Sequence, residues 1–370
     1  MIPFLNLQQQ TDEIRLELDE AYHRFMDSGV YVLGPEVDLF ESAYATYCEA
    51  KFCVGVGNGL DALHLALRSL DIGPGDEVIV PSNTYIATWL AVTQVGAKIV
   101  PVEPNPSTYN ICPDAIAAAV TKRTKAILPV NLYGQPVDYD PIMEIAADVG
   151  AKVVVDNAQA QGARYKGKSV GGLADIECHS FYPSKNLGAY GEAGAITTND
   201  SSIADRIRLL RNYGSKIRYH NEECGYNSRL DTLQASFLRV KIKYLDLWND
   251  RRRQIAKTYL AAFSNLVIGN AQLKLPFVPA WAEPVWHLFV VRHESRDNLQ
   301  RQLTAAGIGT LIHYPVPIHQ SQAYPQFRNH NLPLATELAA TVLSLPVGPQ
   351  MNELEVAKVI QTLTEVIQLS

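Results

Sequence analysis

Five short apolar runs alternating with helical patterns set the tightest limit on how this chain folds. Residues 52–56, 77–81, 98–102, 124–130 and 152–156 are short and apolar on both faces. Residues 61–70, 85–95, 113–120 and 139–149 fill the gaps with apolar side chains at helical spacing. Strands buried on both faces and separated by helices predict an α/β domain on a mostly parallel sheet flanked by helices. Ahead of this block, 11–28 reads as an amphipathic helix stopped by Gly29, and Pro35 opens a second helix reaching about residue 50. After Ala174 the pattern changes. Residues 178–182 and 193–198 read as further strands joined by a glycine-rich loop, and helical periodicity then runs from 231 to about 263. That long stretch is expected to lead into a smaller C-terminal α+β domain. Its strands fall near 286–292 and 310–313, and its helices near 296–306 and 353–367. The expected division is a large domain over 1–245, including a helical N-terminal segment 1–50, and a small domain over 246–370.

Composition narrows the function classes. Hydrophobic residues make up 47% and charged residues 19% of the 370, an ordinary globular mixture with ample core material. The net charge of -6 lacks the basic footprint of a nucleic-acid-binding domain. The clusters Arg206/Arg208/Arg211 and Arg251–Arg253 read as solvated helix faces. Five cysteines without C-x-x-C spacing argue against a disulfide framework or a zinc site, so reduced thiols in the cytoplasm and no metal are expected. Residues 1–10 carry no basic start and no apolar stretch, so no secretory signal is expected. The most apolar stretch, 85–102, is broken by Gln94, Gly96, Lys98 and Pro101, which fits a buried helix and strand and not a membrane span.

Three segments carry chemistry. In Gly55-Val56-Gly57-Asn58-Gly59-Leu60-Asp61 a strand runs through glycines into a helix, and free amides at such a helix start bind phosphate. No acidic residue ends the next strand, so a dinucleotide is not expected. In Val153-Val154-Val155-Asp156-Asn157-Ala158-Gln159 a carboxylate sits just past a buried strand, where α/β folds keep their sites. Alone it reads as a helix-capping aspartate. In Ser180-Phe181-Tyr182-Pro183-Ser184-Lys185-Asn186-Leu187-Gly188 a lysine stands among apolar and glycine neighbours. Such a loop desolvates the amine and favours the neutral form that makes Schiff bases.

These segments, in this order, resemble the DegT/StrS-type sugar aminotransferases of fold type I, the aspartate aminotransferase superfamily. The resemblance covers nearly the whole chain. It includes Leu33-Gly34-Pro35-Glu36-Val37, Pro81-Ser82-Asn83-Thr84-Tyr85, Gly225-Tyr226-Asn227-Ser228-Arg229 and Ile312-His313-Tyr314-Pro315. The pattern is most similar to enzymes that aminate C3 of dTDP-3-keto-6-deoxyhexoses, with pyridoxal 5′-phosphate as cofactor and L-glutamate as donor. The resemblance implies Lys185 as the Schiff-base lysine and Asp156 as the partner of the pyridine nitrogen. Gln159 would contact the ring oxygen, Tyr85 would stack on the ring, and Gly59, Leu60 and Ser180 would hold the phosphate. Asn227 would reach the cofactor of a second subunit, making a homodimer with shared sites. Tyr182, His313 and Tyr314 would line the sugar pocket, and Lys216, Arg218 and Tyr219 would grip the nucleotide diphosphate. Without the resemblance, Tyr85 reads as a core aromatic, His313 as a buried histidine and Asn227 as a turn residue. One position departs: related sequences often read D-x-A-Q-A-H-G, and here Gln161 stands where the histidine would be. Two alternatives stay open, a C4 aminotransferase and a cofactor-binding regulatory protein on the same scaffold. A dehydratase of the same superfamily is disfavoured because Lys185 is present.

Overall fold

The computed structural model describes residues 1–264, 266–268 and 271–368. Its centre is a seven-stranded sheet in the order Phe52–Val56, Gly194–Thr198, Ile176–Ser180, Lys152–Asp156, Thr124–Ile127, Glu77–Pro81, Lys98–Val102. The strands from Ile176–Ser180 to Lys98–Val102 pair in parallel. Gly194–Thr198 runs against both its neighbours. It follows Ile176–Ser180 through the loop that carries Lys185, and a connection without a crossover helix brings it back antiparallel.

Strand alternation feeds two cores. Val78, Val80, Ala126 and Val154 face one side, where Leu63, Leu67, Trp89 and Val92 cover them. Ile79, Ile127, Val153 and Val155 face the other, against Ile116, Ile142 and Ala146. Each such side chain contributes roughly 1.5–3 kcal/mol on full burial, so the sheet is the stable platform of the molecule. The helix Gly59–Ser69 follows the first strand and Ile86–Val95 follows the second, so both start at strand C-terminal ends. In the C-terminal part, Ile255, Tyr259 and Phe263 of the helix Leu245–Phe263 pack on the antiparallel pair Phe289–Arg292 and Val342–Leu345. No helix of the described residues is long and apolar enough to cross a membrane.

Several local expectations change. The helix expected over 11–28 is two, Leu7–Glu13 and Arg15–Ser28. Asn6 caps the first by accepting from the amides of Gln8 and Gln9, and Ile14 leaves helical geometry between them. The helical stretch 231–263 is broken into Thr232–Lys241 and Leu245–Phe263 by a tighter turn at Ile242–Tyr244. Residues 310–313 form no strand. Only Leu311 bridges, to Ser344, before Pro315 and Pro317 remove the next donors. The helix expected around Arg206 and Arg208 spans Ser201–Leu210. Arg211 and Arg252, read as solvated, are buried. Arg211 pairs with buried Glu41 at 2.5 Å, and one turn of a helix does not disclose a partner 170 positions away.

Candidate active site

Asp156 ends the Lys152–Asp156 strand and is 7% exposed. Its Oδ1 accepts from the Ala158 amide (3.0 Å), and its Oδ2 from the Thr88 hydroxyl (3.1 Å), itself 2.9 Å from Thr84 Oγ1. Burial raises its pKa, while the Ala158 amide, Lys185 and Thr88 oppose the shift. The adjacent Asn157 is tied to Asn131 and to buried Glu177, whose carboxylate also accepts from the amides of Gly171 and Leu173 (2.7 Å each). The strand end that presents Asp156 is therefore anchored from below.

The lysine loop is pinned on both sides. Asn186 Nδ2 donates to Asn249 Oδ1 (2.8 Å) and to the Val285 carbonyl (3.0 Å). Buried Lys241 donates to the Gly188 carbonyl at 2.6 Å. A Cβ at Gly188 would lie 2.2 Å from the Pro183 carbonyl oxygen, so this turn closes only with glycine. Between these anchors the Lys185 amine has no hydrogen-bond partner among the described residues. Burial lowers its pKa to about 8, against the pull of Asp156. Both residues line one cleft of about 630 Å³.

The other walls of that cleft come from separate elements. The helix Gly59–Ser69 points its first amides into it, capped by Asn58, whose side chain accepts from the Asp61 amide (2.9 Å). A Cβ at Gly59 would sit 2.6 Å from the Cβ of Ser180, so only a bare backbone brings this helix start and the serine together. Gln159 is fixed at both ends of its amide, accepting from the Tyr133 N–H (2.6 Å) and donating to the Tyr314 hydroxyl (3.0 Å). Tyr85 immediately precedes the helix Ile86–Val95, is exposed, and stands 5.4 Å from the Tyr314 ring. Tyr182 and Glu192 close the rim. A buried carboxylate, a partly desolvated amine, a phosphate-sized helix start beside Ser180 and an exposed aromatic face form a donor set that fits pyridoxal phosphate.

Not every expected residue is in the cleft. His313 faces neighbouring cavities, its Nδ1 2.8 Å from Ser344 Oγ. Asn227 is exposed and outside the cleft of its own chain, although the adjacent Ser228 packs at the phosphate end, where its Oγ accepts from the Gly57 amide (3.0 Å) and donates to Asp61 (2.6 Å). Lys216, Arg218 and Tyr219 lie on an exposed hairpin away from the cleft, with Lys216 paired to Glu222 at 3.3 Å and Arg218 over the Tyr219 ring. Gln161 lies beneath it, donating to the Ser180 carbonyl at 2.8 Å. Thr88, Tyr133, His287 and Glu192 had gone unassigned. Thr88 lies 68 positions from the carboxylate it serves, and no local pattern marks such a pair.

The DegT/DnrJ/EryC1/StrS aminotransferase family model matches residues 12–364. The dTDP-3-amino-3,4,6-trideoxy-α-D-glucose transaminase of Streptomyces venezuelae is 49% identical over 98% of this chain and 96% of its own length. The dTDP-3-amino-3,6-dideoxy-α-D-galactopyranose transaminase of Aneurinibacillus thermoaerophilus is 50% identical over 98% of each. The crystal structure of S. venezuelae DesV superposes with a TM-score of 0.96 at 48% identity, covering 99% of this chain and 98% of that one. With the family's model spanning all but the ends of the chain, and a cleft that holds the expected lysine and carboxylate, this protein belongs to the DegT/DnrJ/EryC1/StrS aminotransferase family.

Proposed function

We propose that the protein moves the amino group of L-glutamate to C3 of a dTDP-3-keto-6-deoxyhexose, giving a dTDP-3-amino-3,6-dideoxyhexose. The observation that carries this is the meeting of Lys185 and buried Asp156 in one cleft at the strand ends. The cofactor is pyridoxal 5′-phosphate, which when bound supplies an electron sink for the carbon that loses its proton. Asp156, held in place by Ala158 and Thr88, would set a fixed negative charge at the ring nitrogen. Lys185, with its pKa lowered to about 8, loses its proton far more readily near physiological pH than an ordinary lysine and would move the proton at the reacting carbon. The amides of Gly59 and Leu60, with Ser180, would hold the phosphate. Gln159, immobilised by Tyr133 and Tyr314, would orient the ring through its oxygen, and Tyr85 would stack on it.

The remaining assignments follow from placement. Asn227 lies outside its own cleft beside the phosphate end, which suits a role across a two-fold dimer. Tyr182 and Tyr314 would line the sugar side, with His313 behind them, while Lys216, Arg218 and Tyr219 on their exposed hairpin would turn from their present partners to meet a nucleotide diphosphate. We place the protein in the cytoplasm and the domain division near residue 245, before the helix Leu245–Phe263. Incubation with glutamate and each dTDP-3-keto-6-deoxyhexose tests the reading, with NMR locating the new amine. Amination at C4, or 4-keto sugars as the only acceptors, overturns the C3 assignment. Absence of turnover with every keto sugar in a protein that still binds cofactor favours a regulatory role. Mixing Asn227→Ala with Lys185→Ala chains tests the shared site: one intact site per mixed dimer should restore activity above either parent once exchange is demonstrated.

A further inference from the structure

Beside the cleft lies a second cavity of about 330 Å³, whose walls include Leu5, Ser184, Arg252, His287, Leu311 and His313. Ser184 precedes Lys185 in the chain, so the two spaces share a wall. Arg252 reaches in from the helix Leu245–Phe263 and is 4% exposed. Its Nη1 donates to the carbonyls of Trp286 (3.4 Å) and Val347 (3.2 Å), and no carboxylate pairs with it among the described residues. Guanidinium groups carry five N–H donors in a planar fork, so Nε and Nη2 retain donors that these carbonyls do not use. A buried cation without a counter-charge is costly, and such groups are normally paired. Burial lowers the Arg252 pKa to about 10.

The neighbouring histidines do not supply the missing negative charge. His287 Nδ1 is 3.1 Å from Asn186 Oδ1, and His313 Nδ1 is 2.8 Å from Ser344 Oγ, which leaves the Nε2 of each ring without a hydrogen bond among the described residues. Burial holds the pKa of both rings down, that of His313 to about 4, and the charge of Lys185 adds to the effect on each. Arg252, unpaired with any carboxylate among the described residues, and the two neutral rings thus line one cavity, next in the chain to Lys185 through Ser184.

We propose that this cavity binds a carboxylate of the amino donor, with Arg252 as its counter-cation and His313, whose Nδ1 can accept from Ser344 Oγ, as a flanking Nε2–H donor. The inference rests on the aminotransferase reading above, because it is that reaction which brings a carboxylate to the neighbourhood of Lys185. A planar guanidinium matches a carboxylate in two parallel hydrogen bonds. The cofactor's phosphate has its own cradle at Gly59 and Ser180. A nucleotide diphosphate would demand several cations, and this cavity has one arginine.

The test uses the cofactor-loaded enzyme and three variants, Arg252→Met, Arg252→Lys and Leu311→Glu. Leu311 is 47% exposed at the cavity wall, so a glutamate there introduces a competing carboxylate without disturbing the core. Arg252→Met should raise the KM for L-glutamate roughly 10- to 100-fold, as expected for a lost hydrogen bond to a charged group, and leave the KM of the sugar nucleotide unchanged. Arg252→Lys should recover part of the loss, and Leu311→Glu should raise the glutamate KM with an unchanged melting temperature. Calorimetric binding of 2-oxoglutarate should weaken in parallel, and inorganic phosphate should not compete. A glutamate KM that stays at the wild-type value in both Arg252→Met and Leu311→Glu overturns the proposal, as does phosphate competing as well as 2-oxoglutarate. If Arg252→Met does not fold, Leu311→Glu decides alone. Failure of the aminotransferase reading is separable: it is absence of turnover in the wild-type enzyme, whereas 2-oxoglutarate binding reports on the cavity either way.

Discussion

Replacing Asp156 by asparagine removes one charge and almost nothing else. The carboxylate accepts from the Ala158 amide and the Thr88 hydroxyl. An asparagine keeps the first bond through its carbonyl oxygen and turns its NH₂ to Thr88 Oγ1. That hydroxyl then accepts, and donates in turn to Thr84 Oγ1, 2.9 Å away. Both bonds that hold the carboxylate keep a partner, so the change in stability should stay at about 1–2 kcal/mol. Turnover is another matter. A preorganised charge aimed at the reacting system is worth roughly 2.7–4 kcal/mol, so kcat should fall about 10²- to 10³-fold. A second readout has a sign of its own. Asp156 holds the Lys185 pKa up against burial, so in the variant that pKa should drop below about 8. The pH midpoint for trapping Lys185 with an aldehyde and borohydride, followed by mass spectrometry on the cofactor-free protein, should move to lower pH. Mere loosening of the cleft would hydrate the lysine and move the midpoint up. Turnover within a few-fold of wild type, or an upward midpoint, refutes the argument.

Lys185→Met should abolish turnover and stabilise the cofactor-free protein. Because the folded pKa lies near 8 and below its ordinary value of 10.5, the penalty is fully present below pH 8, shrinks as pH rises and is gone above 10.5. The gain at pH 7 should reach up to roughly 3 kcal/mol, less what water in the cleft screens, and denaturation at pH 7 and pH 11 measures it. An equal gain at both values contradicts the assignment. Gly59→Ala places a Cβ 2.6 Å from the Cβ of Ser180, so cofactor affinity should fall at least about tenfold in a fluorescence titration while helical content is unchanged. Glu41→Gln strands the guanidinium of Arg211, buried with it at 2.5 Å, and should cost about 3–5 kcal/mol in urea unfolding. A loss below 1 kcal/mol would mean that the pair contributes little.

The strand and helix order was legible because its signals are local. Val153, Val154 and Val155 face two cores in alternation, so their stretch is apolar throughout. Glycine at 59 and 188 marks places where backbones approach too closely for a Cβ. Lys185 and Asp156 stood out through their immediate neighbours in the chain, and the family resemblance then tied them to one reaction. What the tertiary structure alone decided has a common cause: contact between residues whose separation in the chain leaves no periodic trace. Thr88 beneath Asp156, Tyr133 against Gln159 and Glu41 beside Arg211 are pairs of this kind. The charge of Arg252 was plain in the sequence. That it is buried without a carboxylate, beside two histidines held neutral, depends on the packing of the helix Leu245–Phe263 against the segments carrying Trp286 and Val347, and no run of neighbouring residues encodes that environment.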